Sequence, residues 1–65
     1  MSGVEEIISQ TGYKITADDL SYIEMIRNMA VQEVLNFINR DVLPADLGDV
    51  VDLRTAGRFL SAKAS

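Results

Sequence analysis

The stretch TADDLSYIEMIRNMAVQEVLNFINR, residues 16–40, decides the fold. Thr16 is a good N-cap, because its side-chain oxygen can accept from an amide that the first helical turn leaves unpaired. Asp19 stands three residues on, in the partner position of a capping box, and Ile15 and Leu20 have the spacing of a hydrophobic staple. Asp18 and Asp19 also suit the positive end of the helix dipole. At about 100° per residue, Leu20, Ile23, Ile26, Ala30, Val31, Val34, Leu35, Phe37 and Ile38 share one broad apolar arc. That arc is wider than the stripe of a helix lying on a surface, and it implies two packing neighbours. A smaller patch, Tyr22, Met25 and Met29, lies on the other side among Gln32, Asn36 and Arg40. Asn39 and Arg40 suit the negative end of the dipole. The spacing predicts a helix over about 17–39.

On the C-terminal side, Pro44 forces Leu43 into an extended conformation, so the long helix must end before it. Residues 44–48 read as a helical turn or a loop. Asp49 is then expected to cap a third helix over about 49–62. Its narrow face is read as Leu53, Ala56, Gly57 and Leu60, with Val50 beside them. Glycine in a helix interior costs about 1 kcal/mol relative to alanine, so Gly57 is expected to be offset by close approach of a neighbouring helix. Gly57→Leu should then disrupt packing. On the N-terminal side, Ser2 and Glu5 have capping-box spacing. Val4, Ile7 and Ile8 fall on one face, and Gly12 can take the left-handed conformation that ends a helix. This first helix, about 3–11, is too short to persist alone and must lie against the others. No segment has strand periodicity. The fold class expected is all-α, a small three-helix bundle forming one domain over residues 1–65.

A chain of 65 residues buries a small core. Folds of this size usually add disulfides, a metal or oligomerisation. The sequence has neither Cys nor His, which removes disulfides, thiolate sites and the commonest general base. Oligomerisation or docking remains. The net charge of −4 opposes general affinity for nucleic acid. Residues 1–39 carry Glu5, Glu6, Asp18, Asp19, Glu24 and Glu33 against Lys14 and Arg27, whereas residues 40–65 are balanced. No apolar run approaches membrane-spanning length, and the N-terminus lacks signal-peptide order, so cytosolic synthesis is expected.

Candidate chemistry is sparse. The serines have no recognisable base nearby, and Lys14 and Lys63 sit in polar contexts unsuited to a lowered pKa. No catalytic residue, cofactor or metal site is expected, and the chain is read as a non-enzyme. Asp41, Asp46, Asp49 and Asp52 cluster around the Pro44 turn but lack calcium-loop spacing. They are read as capping and dipole complementation. Arg27 falls inside the apolar arc, so it must pair or reach water, and Glu24 is its expected neighbour. Arg54, Arg58 and Lys63 make the only local basic group. It is read as a solvated edge, with contact to an acidic face of another subunit as the alternative. Aromatic and Met side chains are enriched in interface cores, so Tyr22, Met25 and Met29 are candidates for partner contact as much as for the core.

The run from Ile38 to Lys63, INRDVLPADLGDVVDLRTAGRFLSAK, resembles the small head–tail connector (adaptor, or head-completion) proteins of tailed bacteriophages. The positions that carry the resemblance are Pro44, Leu47, Val50, Val51, Ala56, Gly57, Phe59 and Leu60. The early segments Val4–Ile8 and Gly12–Thr16 are similar to the start of such proteins. The resemblance implies an all-helical virion structural protein. Such subunits form a homo-oligomeric ring, commonly dodecameric, between portal and tail, and extend the DNA channel. Portal and tail-side proteins are the implied partners, with at most transient DNA contact and no membrane. Family members usually continue beyond the Lys63 position, so this chain is expected to be a minimal member, a truncated form or a different small protein with similar helices. The expected interface residues are Tyr22, Met25, Met29, Arg54 and Arg58. Localisation is expected in the bacterial host cytoplasm, then the virion. The alternative reading is a small acidic phage or bacterial regulator that inhibits a host enzyme by protein–protein binding.

Overall fold

The structure, a computed structural model, describes residues 3–64. Helix α1 spans Gly3–Gln10, α2 spans Ala17–Ile38, and α3 spans Gly48–Ala64, with a 3-10 turn over Ala45–Leu47 leading directly into α3. The all-α three-helix class expected from periodicity is present, and the described residues contain no strand.

The helix ends follow from local chemistry. Ser2 lies outside the described residues, so the capping role expected of it does too. Helix α1 stops where Gly12 turns to φ 90°, and the Thr11 hydroxyl donates to the Ile8 carbonyl at 2.6 Å. At the start of α2, Thr16 is extended at the N-cap and its N–H donates to Asp19 Oδ2 at 3.1 Å. At its end Asn39 adopts the left-handed conformation, φ 58°, and the Arg40 N–H reaches back to the Leu35 carbonyl at 3.1 Å. Asn tolerates this region better than other residues with a Cβ. The Leu47 N–H closes the 3-10 turn on the Pro44 carbonyl at 3.0 Å. Because that turn runs without a break into α3, Asp49 lies inside the first helical turn. It complements the dipole there and is not the cap it was expected to be.

The core is small: Val4 and Ile8 from α1, Ile23, Ile26 and Ala30 from α2, and Val51, Ala56 and Phe59 from α3. Ile7, Tyr13, Ile15, Tyr22 and Leu60 pack around it. Two expectations about faces are corrected. On α3 the buried residues are Val51, Thr55, Ala56 and Phe59, while Leu53 is 61% exposed and Gly57 faces open space. Phe59, fully buried, sets the rotation, and Thr55 and Val51 lie one and two turns earlier on its side of the helix. Thr55 can be buried because its hydroxyl donates to the Val51 carbonyl at 2.7 Å. Close helix approach occurs instead at Gly3, where a Cβ would collide with Asp52 Oδ2. On α2 the buried members of the broad arc are Ile23, Ile26 and Ala30, and none beyond Ala30 is buried. Leu20 is exposed, and Phe37 is 91% exposed.

Candidate association surface

Four of the six cations are engaged within the chain, and this fixes how the helices sit. Arg27 Nε reaches Asp52 Oδ1 across to α3 at 3.2 Å, so the expected pairing with Glu24 is replaced by an interhelical one. Glu33 takes Arg58 Nη2 through both carboxylate oxygens, at 2.8 and 3.1 Å, and has Arg54 Nε at 3.5 Å. Lys63 Nζ lies 3.0 Å from Asp19 Oδ1. The basic group of α3 is therefore spent on acids of α2. Among the described residues no cluster of three or more acids or other ligating groups is arranged to hold a metal.

Among the described residues Asp19 is the one buried carboxylate. Besides Lys63 and the Thr16 amide it accepts from the Tyr13 hydroxyl at 3.0 Å. The Thr16 amide and the Lys63 ammonium are the chief reasons its pKa is lowered to about 2. The same contact raises the pKa of Lys63, and burial, followed by the bond to Asp19, raises that of Tyr13. The group ties the linker, the start of α2 and the end of α3 around Phe59. Tyr13 meets the Phe59 ring edge-on at 5.3 Å, Tyr22 meets it tilted at 5.9 Å, and Lys63 Nζ stands 5.7 Å from its centroid. Among the described residues no buried side-chain polar atom lacks a partner, and this group acts as a structural tie. Sequence reasoning found Asp19 as a capping residue and missed its other partners.

The expected interface residues are separated by the structure. Tyr22 is half-buried against Phe59, Arg54 and Arg58 are paired with Glu33, and Met25 and Met29 stand about half exposed on the surface of α2. A different apolar site is present at the far end of the molecule. Between the last turns of α2 and the beginning of α3 lies an open groove of about 340 Å³, walled by Val34, Phe37, Ile38, Leu47 and Val50. Its charged edge is Glu33 and Arg54, which face one another. Phe37 continues the line of buried residues Asp19, Ile23, Ile26 and Ala30 along α2, yet among the described residues it stands 91% exposed. Such a site can hold an apolar side chain; its one carboxylate, Glu33, is paired with Arg54 and Arg58. Counting the apolar arc alone could not find it, because the arc does not say where covering elements end.

No family model, curated protein or solved structure matches the chain. No helix among the described residues is long and apolar enough to cross a membrane.

Proposed function

We propose that this chain is a non-catalytic structural subunit that works by associating with protein, and that the assembly it joins is the head–tail connector ring of a tailed bacteriophage. The observation that carries the first part is Phe37, 91% exposed on the stripe that elsewhere forms the core, beside an unfilled apolar groove. Large exposed apolar patches mark association sites. Met25 and Met29 supply a second apolar surface for lateral contacts. The connector part rests on the resemblance of residues 38–63 to that family. On this reading the protein is made in the host cytoplasm, ends in the virion, and binds portal and tail-side proteins. Arg54, Arg58 and Lys63 are already paired within the chain, so any DNA contact in a channel is slight. Enzyme inhibition by imitation of DNA charge is the weaker reading, because Asp19, Glu33 and Asp52 are turned onto cations of their own chain.

Mixing the purified chain with isolated phage portal complexes tests the proposal. Co-sedimentation of the chain with the portal is expected. A chain that stays monomeric at every concentration and leaves the portal unchanged would overturn it.

A further inference from the structure

Resting on the association reading, we propose that the groove between the far half of α2 and the start of α3 is filled by Phe37 of a second copy of this chain, with the same contact made in return. The groove walls are aliphatic and aromatic, and its two charged residues already satisfy each other. The occupant it fits is therefore apolar and uncharged, with the bulk of one or two side chains. The chain projects one such group, Phe37, from the lip of the groove itself.

The adjacency of knob and groove decides the symmetry. In a two-fold contact residue i meets j and j meets i, so both features belong on one patch. A head-to-tail ring needs them on opposite flanks. The Phe37 contact therefore closes at two copies, and ring contacts use another surface, such as Met25 and Met29. The groove flank of α3, Val50 and Arg54, lies about 160° around the helix from Asp52, which meets Gly3 of α1, so α1 does not obstruct the approach.

Charge and area set the strength. Each copy carries −4, which opposes pairing at long range, while in the groove lining itself Glu33 is matched by Arg54. Salt screens charges beyond about 8–10 Å, so pairing should strengthen as salt is added. A standard interface covers about 800 Å² per partner, less than roughly a fifth of the 4569 Å² this chain exposes. Phe37, Val50 and Leu53 can form its apolar centre, with the flanking helix surfaces as rim.

Light scattering over a concentration series, at low and high salt, tests the pairing with wild type and Phe37→Asp. The mass should rise from one copy to two and stop, more readily at high salt. Phe37→Asp should weaken pairing by at least about 30-fold, as loss of a central aromatic anchor does, while its helical circular dichroism stays unchanged. Because the chain has no cysteine, Phe37→Cys and Val50→Cys can be mixed under mild oxidation. A disulfide joining the two different variants is expected. A wild type of constant single-copy mass, or pairs that survive Phe37→Asp, would overturn the proposal. In the second case association stands and uses another face. A constant mass together with no portal binding removes the broader reading as well.

Discussion

Asp19 joins three parts of the chain that lie far apart in sequence: the Tyr13 linker, the first turn of α2 at Thr16, and Lys63 near the end of α3. Its folded pKa of about 2 is below the ordinary 3.8. A carboxylate depressed in this way stabilises the fold fully above its unfolded pKa, and the contribution is lost as pH falls through the folded value. Acid unfolding of the wild type should therefore include a loss between about pH 4 and pH 2, which Asp19→Asn should lack while being less stable at neutral pH. Titration of both proteins by circular dichroism checks this, and parallel curves would contradict it. Phe59 is the other decisive residue, fully buried and ringed by Tyr13, Tyr22 and Lys63. Phe59→Ala should cost about 3–5 kcal/mol, against a total of roughly 0.05–0.15 kcal/mol per residue for ordinary domains. A chain of this size should then lose its cooperative thermal transition. At this scale the sequence showed what is local. The Thr16–Asp19 spacing was visible, whereas Lys63 and Arg27 found partners on other helices, which spacing within a helix cannot reveal.

Helix α3 shows why faces are harder to read than helices. Its existence and its Pro44 boundary follow from backbone chemistry, but its rotation does not. Leu53 and Leu60 draw the eye on a wheel, yet Thr55, which looks polar, is buried with its hydroxyl bonded to Val51. Two of the glycines in helices, Gly57 and Gly3, show the consequence. Gly57 has open space around it, so Gly57→Ala should stabilise by up to about 1 kcal/mol through helix propensity. Gly3→Ala places a methyl against Asp52 Oδ2, and displacing that carboxylate disturbs its pairing with Arg27 through Oδ1, so it should destabilise. Urea midpoints for the two variants should move in opposite directions. A loss of stability in Gly57→Ala would restore the close approach first expected there.

The molecule is 34 Å long, close to the roughly 33 Å of a straight 22-residue helix, so α2 sets its length. Helix α1, at 8 residues, spans only about 12 Å and covers one end. The apolar stripe of α2 outruns its cover, and Phe37 is where it emerges. The sequence showed an apolar arc too wide for a lone helix and suggested a use beyond the subunit. It placed that use at Tyr22, Met25 and Met29, of which Met25 and Met29 are about half exposed; the open end of the arc itself shows only once the length and position of α1 are known. If the far end of α2 is an association surface rather than part of the core, folding must be linked to concentration, since binding that favours the native state raises Tm. Thermal unfolding of wild type and Phe37→Asp over a wide concentration range measures this directly. Wild-type Tm should climb with concentration, while Phe37→Asp stays constant and meets the wild type at high dilution. A wild-type Tm that does not move, with Phe37→Asp lower by the same amount throughout, would make Phe37 a contributor to the subunit's own stability and contradict its role in association.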